Sequence, residues 1–246
     1  MSASRLLGIL GGMSPESTAE YYRQLNRAIG ARLGPPHSAR VLIHSIDFGE
    51  LRELQLRDEW DAAGELLAQA AAGLEAAGAE AILMASNTMH RAAARIEEAI
   101  TVPFLHIVDA TGAALRDAKV QRAGLLGTAY TMELPFWRER LESRFGIALV
   151  VPDAAQRTDI DRIIFDELCA GEIRQVSRAR YVEVIATLAQ DGAAAVIFGC
   201  TEIGLLLGPS ESPLPVFDTT AIHVAAAVRF ALGATSTAAP PRAEGP

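Results

Sequence analysis

Short apolar runs alternate with longer amphipathic segments along almost the whole of this chain of 246 residues. The apolar runs are continuous, which is typical of parallel strands that are covered on both faces. The longer segments carry apolar residues at helical spacing and predict helices at Ser17–Ala31, Trp60–Ala77 and Ser177–Gln190. This alternation predicts an α/β fold with mainly parallel sheets. The predicted strands are Leu6–Leu10, Val41–His44, Ala81–Met84, Phe104–Ile107, Ala123–Leu126, Ala148–Val151, Ala195–Phe198 and Val216–Phe217.

The sequence contains an internal repeat. Residues 78–88 align without a gap with residues 192–202, a shift of 114 positions that places Ser86 opposite Cys200. A repeat of about 115 residues is too long for a solenoid unit and predicts two similar α/β domains that face each other. Two shorter echoes occur in the same order, Gly8–Gly11 with Gly124–Gly127 and Pro103–Thr111 with Pro215–Thr220.

The repeat also suggests where the domains begin and end. We expect the first domain to comprise residues 1–102 and to regain the chain at 214–232. The second domain is the stretch between, residues 103–213. Residues 233–246 are rich in Ala, Thr, Ser, Pro and Gly and have no apolar period, so we expect a disordered tail there.

Composition and charge exclude several classes of function. The 22 basic and 30 acidic residues give a net charge of −8 without any block of like charge, which argues against a nucleic-acid or anionic-membrane partner. No apolar stretch is long enough to cross a membrane, and the N-terminus lacks the features of a signal peptide. The two cysteines, Cys169 and Cys200, form neither a disulfide framework nor a zinc motif. A cytoplasmic enzyme without a metal is therefore expected.

Polar clusters follow four of the predicted strands. Ligands of parallel sheets collect at the carboxyl ends of strands, where the N-termini of the following helices favour anions such as carboxylates. Neither GxxxxGK[ST] nor GxGxxG is present, so a nucleotide site is not predicted. The four clusters are Gly11–Ser14, Ser86–Thr88, Thr128–Thr131 and Cys200–Glu202.

Cys200 has two interpretations at this stage. Free cysteines are often buried and structural. Alternatively, Cys200 stands where the backbone turns toward a helix, and a helix N-terminus lowers a thiol pKa toward neutrality, so that a thiolate could remove a proton from carbon. Cys169 lies at the end of a helical pattern just before Gly171, and we expect it to pack there.

Three motifs follow one another along the chain. They are Gly11–Ser14 with Ser17-Thr18 and Tyr21-Tyr22, then Ser86–His90, then Gly199–Glu202. Taken together, they resemble the signatures of the aspartate/glutamate racemase family, in the right order and over residues 6–232. The resemblance implies two pseudo-symmetric α/β domains, each with a mainly parallel sheet flanked by helices, and an active site in the cleft between them. It implies racemisation of a small amino-acid substrate without pyridoxal phosphate or another cofactor, and commonly a homodimer.

The resemblance makes Cys200 and Ser86 the expected catalytic pair, one on each face of the α-carbon. Where the family usually has Cys-Asn-Thr, this chain has Ser86-Asn87-Thr88, and a serine hydroxyl is a much weaker acid than a thiol. Three interpretations stay open. The chain is an asymmetric racemase of the hydroxyl/cysteine type, a single-cysteine decarboxylase like the arylmalonate decarboxylases, or a catalytically impaired carboxylate-binding homologue.

The expected substrate-binding residues are hydrogen-bond donors or lie beside them, because a carbanion without a cofactor needs its carboxylate stabilised as it becomes an enediolate. Hydroxyl and Asn side chains also cap helices routinely, and the two roles are compatible. Glu202 is expected either to assist Cys200 or to be a solvated first-turn residue. The substrate-binding residues are Met13, Ser14, Asn87, Thr88, Thr128, Thr201 and Glu202, with His90, Asp47 and Arg52 as weaker candidates.

Overall fold

The computed structural model describes residues 4–233, which group into two units. The first unit contains residues 4–85, 95–105 and 221–233, and the second contains residues 86–94 and 106–220. Each unit has a four-stranded parallel sheet with helices packed against it. None of the helices in this range is both long and apolar enough to cross a membrane.

The first unit has a sheet of strand order β2-β1-β3-β4, and the second has the equivalent order β6-β5-β7-β8. All neighbouring strands are parallel. The identical order confirms the predicted α/β fold with two similar halves. The strands are β1 (Leu7–Gly11), β2 (Val41–Ser45), β3 (Ala81–Met84), β4 (Phe104–Leu105), β5 (Arg122–Gly127), β6 (Ala148–Val150), β7 (Ala195–Gly199) and β8 (Val216–Asp218).

The helices follow the strands in chain order, and short 3-10 helices at Thr88–Ala92, Leu168–Ala170 and Pro209–Glu211 supplement them. The α-helices of the described range are α1 (Pro15–Leu33), α2 (Phe48–Leu56), α3 (Trp60–Ala76), α4 (Ala93–Ala99), α5 (Ile107–Asp117), α6 (Ala129–Glu133), α7 (Phe136–Phe145), α8 (Ala154–Asp166), α9 (Gln175–Gln190), α10 (Ile203–Leu206) and α11 (Thr219–Ala231).

All eight predicted strands and all three predicted helices are present, with ends that differ by at most two residues. The strand predicted to end at Ile107 ends at Leu105, because His106 instead caps α5: its Nδ1 accepts the Val108 N–H at 3.1 Å. Helix α1 begins two residues earlier than predicted, since Ser14 caps it and Pro15 fills its first position. The predicted tail, beyond Gly233, lies outside the described residues.

Both faces of the second sheet are buried, which explains the continuous apolar runs. Successive residues of a strand point to opposite faces. On β7, Ala195 and Ile197 pack into one apolar cluster with Trp137, whereas Val196 and Phe198 pack into another. The strand is therefore apolar at every position, and its first polar side chain comes where the sheet ends.

A buried histidine joins three elements of the first unit. His223 on α11 lies 2.6 Å from the Leu105 carbonyl through Nε2 and 3.0 Å from the Tyr21 hydroxyl through Nδ1. A carbonyl can only accept, so Nε2 carries the proton and Nδ1 accepts from Tyr21. Burial lowers the pKa of His223 to about 4, although the bond to Leu105 raises it in part. The ring is therefore neutral in the folded protein at neutral pH.

This pKa predicts an acid-sensitive fold. A histidine in the unfolded chain titrates at a pKa of ~6.5. Between pH 6.5 and about 4, His223 is therefore protonated in the unfolded chain but neutral in the folded protein. The stability contribution is complete above pH 6.5 and falls by about 3 kcal/mol as the pH drops to about 4. Urea unfolding from pH 4 to 8 measures this loss. His223→Gln should lower stability at pH 8 and flatten the pH dependence; an unchanged pH slope would contradict the assignment.

Candidate functional site

Ser86 and Cys200 occupy equivalent places in the two halves. Ser86 comes two residues after β3 and Cys200 directly after β7, and these strands have the same place in their sheets. The side chains of both residues are partly exposed. Both also belong to the second unit, because the 86–94 segment groups with residues 106–220.

Cys200 is paired with a carboxylate. Its Sγ donates a hydrogen bond to Glu202 Oε2 at 2.9 Å. Burial raises the pKa of the Cys200 thiol well above its usual value, and the Glu202 charge raises it further. The backbone N–H of Glu202 lowers the pKa, but by less. The expectation that a helix N-terminus shifts this thiol toward neutrality is therefore wrong, and Cys200 rests as a protonated thiol beside a proton acceptor.

Three threonine hydroxyls form a triangle beside the Ser86 segment. Thr88 Oγ1 lies 3.1 Å from Thr128 Oγ1 and 3.0 Å from Thr131 Oγ1, and the latter two lie 3.2 Å apart. Three hydroxyls hold three protons, so the three contacts of the triangle can use all of them, and a ligand receives a proton only where one contact opens. Thr88 and Thr128 are partly exposed, whereas Thr131 is completely buried. The structure thus brings together two of the predicted substrate-binding residues.

Thr131 belongs to the predicted polar cluster Thr128–Thr131 but is not among the predicted substrate-binding residues. Its side chain lies so close to Gly127 and Gly199 that a Cβ on either glycine would come within 3.1 to 3.2 Å of it. Thr131 therefore packs on the ends of β5 and β7 while its hydroxyl holds Thr88. The signal was available, since Thr128 and Thr131 are three residues apart at a helix start and hence face the same side.

Asn87 is connected to β7 by hydrogen bonds through Thr219. Its Nδ2 donates to Thr219 Oγ1 at 3.0 Å, and that hydroxyl donates to the Phe198 carbonyl at 2.8 Å. Asn87 Oδ1 is buried and has no hydrogen-bond partner among the described residues. A buried acceptor of this kind is costly unless a ligand or water serves it. The Ser86–Thr88 segment is thus fixed to β7, the strand that precedes Cys200, and Asn87 Oδ1 remains as an acceptor without a partner among the described residues.

His90 serves the backbone of this segment. Its Nδ1 lies 2.6 Å from the Ser86 carbonyl, and its Nε2 accepts the Ile107 N–H at 3.1 Å. Since a carbonyl only accepts, the proton is on Nδ1, and both ring nitrogens bond to backbone. The ring is 2% exposed. We therefore interpret His90 as a structural residue and not as a proton carrier.

The predicted residues of the first unit lie at the carboxyl end of its own sheet. Ser14 Oγ caps α1 by accepting the Ser17 N–H at 3.2 Å, and Met13 is buried. Gly12 has a φ of +91°, and a Cβ atom at this residue would lie 2.0 Å from the Ile46 carbonyl oxygen. Only glycine fits there. Asp47 caps α2 through the Gly49 N–H at 3.0 Å.

Arg52 and Thr201 complete the predicted set. Arg52 Nη1 donates to Gln55 Oε1 at 3.5 Å within α2. Thr201, which is partly exposed, stands between Cys200 and Glu202.

Two backbone N–H groups in the first turn of α6 already donate to side chains of the protein. Thr128 Oγ1 accepts the Thr131 N–H at 3.4 Å, and Asp161 Oδ1 accepts the Ala129 N–H at 2.7 Å. Thr128 is thus both a cap and a member of the hydroxyl triangle. The backbone N–H of Ala129 is consequently taken by a carboxylate of the chain itself.

Cys169 does not pack as expected. It is exposed on the 3-10 helix that follows α8, so the expectation that it packs at a helix end is wrong. Its neighbour Leu168 fills that core position instead. In the described range, no group of three or more His, Cys, Asp or Glu side chains is placed to hold a metal ion.

Comparison with known proteins identifies the family. A family model for Asp/Glu/hydantoin racemases matches residues 10–227. The chain belongs to this family. The family predicted from the motifs is thereby confirmed, and with it the predicted enzyme class, an isomerase.

Individual relatives of this Asp/Glu/hydantoin racemase family agree with that assignment. The chain is 47% identical to a Yersinia pestis structure classed as an Asp/Glu racemase, covering 93% of this chain and 99% of the other with a TM-score of 0.88. An aspartate racemase homologue from Pyrococcus horikoshii OT3 is 31% identical, with coverages of 93% and 99% and a TM-score of 0.83. The broad specificity amino-acid racemase RacX of Bacillus subtilis is 24% identical over 226 residues, 88% of this chain and 93% of RacX.

The contact between Cys200 and Glu202 makes a prediction that does not depend on substrate. Glu202→Gln removes the charge that raises the pKa of Cys200, so this pKa should fall, although burial still holds it above its usual value. Alkylation of Cys200 by iodoacetamide at pH 8 should become several-fold faster, as measured by peptide mass spectrometry. Exposed Cys169 is the reference thiol in the same sample, and Glu211→Gln removes a charge from the Arg178 pair as a control. Equal or slower alkylation of Cys200 would refute the prediction.

Proposed function

We propose that this protein racemises an amino acid of the aspartate/glutamate type without pyridoxal phosphate, with Cys200 and Ser86 on opposite faces of the α-carbon. The observation that carries the proposal is the pairing of equivalent positions. Ser86 and Cys200 follow corresponding strands, and the Ser86–Thr88 segment is hydrogen-bonded to the elements around the end of β7. Racemisation needs such a pair, one group to remove a proton and another to return one.

Cys200 and Glu202 act in the proposal as one proton-transfer unit. The thiol passes its proton to the Glu202 carboxylate, to which it already donates at 2.9 Å. The thiolate then removes the α-proton: the Cα–H bond breaks, an S–H bond forms, and the electron pair moves into the substrate carboxylate to give an enediolate. A base with a raised pKa suits this step, because the α-proton is a very weak acid.

The hydroxyl triangle supplies the proposed stabilisation of the enediolate. Thr88 and Thr128 are the partly exposed members, and either can exchange its contact within the triangle for a hydrogen bond to a substrate carboxylate. The buried, unpartnered Oδ1 of Asn87 suits the substrate ammonium group, which needs an acceptor. Glu202 acts through Cys200 in this scheme. Met13, Ser14 and Thr201 stay predicted substrate-binding residues.

Ser86 returns the proton in the proposal by way of water. A serine hydroxyl is no stronger an acid than water, and water protonates an enediolate readily because the enediolate carbon is far more basic than hydroxide. The water ordered by Ser86 gives its proton to the α-carbon, and the hydroxide left behind is neutralised by the proton that Cys200 and Glu202 have gained. Every group thus returns to its starting state.

This asymmetry has a defined kinetic signature. Two enantiomers have equal free energies in solution, so kcat/KM for racemisation must be the same in both directions. The asymmetry therefore shows in hydrogen exchange with solvent. The enantiomer whose α-proton faces Cys200 is deprotonated and reprotonated by the same thiol more often than it inverts. The other enantiomer, once deprotonated on the Ser86 side, is protonated by Cys200 and inverts.

The resting thiol also supports a second candidate, decarboxylation of a malonate-type acid. That reaction needs a single proton donor, and Cys200 is held as a donor by burial and by Glu202. A malonate that loses carbon dioxide leaves the same kind of enediolate, which the thiol protonates once. Homodimer formation and a cytoplasmic location stay predictions from the sequence.

Single enantiomers of aspartate, glutamate and neutral amino acids in deuterium oxide provide the decisive test, followed by NMR and chiral chromatography. We expect one enantiomer to gain α-deuterium faster than it inverts, and the other to gain deuterium only in the inverted product. Equal behaviour of both enantiomers would contradict the asymmetric pair. Release of carbon dioxide from a disubstituted malonate, with no exchange in any amino acid, would replace the racemase proposal with the decarboxylase.

Variants of the two proposed catalytic residues sharpen this test. Cys200→Ser should abolish exchange and inversion, because it removes the base. Ser86→Cys should raise the racemisation rate several-fold and abolish the excess of exchange over inversion, because both faces then carry a thiol. Cys169→Ser is the matched control, since Cys169 is exposed and should leave both rates unchanged. Full activity of Cys200→Ser is incompatible with the mechanism.

Thr131 is expected to matter through the triangle. Thr131→Val keeps the methyl contacts with the glycines at the ends of β5 and β7 but removes the hydroxyl that holds Thr88. We expect kcat to fall about tenfold, the effect of roughly 1.4 kcal/mol on the transition state. Thr111→Val is the control: this threonine is equally buried, and its hydroxyl bonds to the Ile107 carbonyl within α5. A similar loss of kcat in both variants would point to a general packing effect.

A further inference from the structure

Tyr181 is a buried polar residue that the mechanism above does not use. It lies on α9, its side chain is 0% exposed, and its hydroxyl has no hydrogen-bond partner among the described residues. A buried hydroxyl without a partner destabilises a fold, since it has given up its bonds to water. A phenylalanine would fill the same volume without that cost. The hydroxyl therefore calls for an explanation.

The surroundings of Tyr181 point to Cys200. Tyr181 belongs to the apolar cluster that covers one face of the second sheet, and Cys200 packs against this same cluster. Among the ionisable groups that act on the phenol, Cys200 has the largest effect. Glu202 acts from the same loop as Cys200.

The other two charged groups that act on the Tyr181 hydroxyl, Asp161 and Glu167, already accept hydrogen bonds from other residues. Asp161 on α8 accepts the Ala129 N–H at 2.7 Å. Glu167, next along the chain from α8, accepts hydrogen bonds from Ser177 and Arg162, and Arg174 lies 3.8 Å from it. The carboxylate of Glu202, by contrast, receives its hydrogen bond from Cys200, a weak donor.

We propose that Tyr181 is a positioning residue whose hydroxyl donates a hydrogen bond, through one buried water, to the negative charge shared by Cys200 and Glu202. The pair holds one proton and one negative charge, wherever the proton lies. The phenol keeps its own proton, because burial raises the pKa of Tyr181 well above its usual value. Because loss of the thiol proton gives the pair a second negative charge, this donation favours the thiolate over the thiol, and it changes no bond in the reaction. This inference rests on the proposed function only because that function makes Cys200 the reacting group.

Tyr181→Phe tests this role because it removes one oxygen atom and no observed hydrogen bond. Loss of the donor should disfavour the thiolate, so the pH midpoint of Cys200 alkylation by iodoacetamide should rise and the rate at pH 8 should fall several-fold. Exposed Cys169, whose charge also acts weakly on Cys200, is the reference thiol in the same digest. For racemisation, kcat should fall several-fold while KM is unchanged.

Trp137→Phe is the matched control. Trp137 is also 0% exposed with an unpartnered donor, Nε1, but it lies in the apolar cluster on the other face of the same sheet. Its replacement should not move the Cys200 midpoint.

An unchanged midpoint in Tyr181→Phe, or an equal shift in the Trp137 variant, overturns the proposal. Thermal unfolding reports on a purely structural role: a variant that is more stable and has an unchanged midpoint shows that the hydroxyl is merely unpaired. The alkylation assay needs no substrate, so it separates this inference from the proposed function. A shifted midpoint in a protein that exchanges no α-deuterium supports the role of Tyr181 while removing the racemase proposal.

Discussion

The sheet of the second unit depends on a constraint that all parallel sheets share: where its strands end, backbone groups lose their partners and side chains must replace them. Here two threonines lie at the strand ends, and the hydroxyl of one of them, Thr219, replaces a backbone partner. Thr219 serves the Phe198 carbonyl and Asn87, and Thr131 packs on the strand ends while it holds Thr88. The same bonds that complete the backbone thus fix the segment that contains Ser86. Positioning of the proposed site and completion of the fold are one set of interactions.

The burial that forms the core also sets the chemistry of Cys200. A thiol packed against an apolar cluster resists ionisation, and a neighbouring carboxylate strengthens that resistance. A thiolate formed there is scarce, but it is a stronger base than an exposed one. Because the α-proton is a very weak acid, its removal depends more on how basic the thiolate is than on what fraction of Cys200 is ionised. In the proposed mechanism Glu202 accepts the thiol proton, so that the thiolate can form.

The fold could be predicted from the sequence because its signals are local and repeated. Continuous apolar runs located the eight strands, and the repeat of residues 78–88 at 192–202 matched Ser86 to Cys200. The state of Cys200 could not be predicted in this way. The expectation of a lowered pKa considered only the following helix, whereas α10 has four residues and the burial comes from helices distant in sequence. Thr131 could have been selected from its spacing with Thr128, but its contacts with Thr88 and with the end of β7 involve residues distant in sequence.

The identity of residue 202 decides where the proton rests. A histidine beside Cys200 would tend to take the thiol proton and give an ion pair, so that the cysteine would start as a base. A carboxylate is the weaker base of the two, so the proton stays on sulphur and Cys200 starts as an acid with an acceptor 2.9 Å away. Ser86 on the equivalent strand end has no charge of its own to offer. In the proposed mechanism, proton transfer is therefore concentrated at the end of β7, and the Ser86–Thr88 segment contributes hydroxyl and amide groups that orient the substrate.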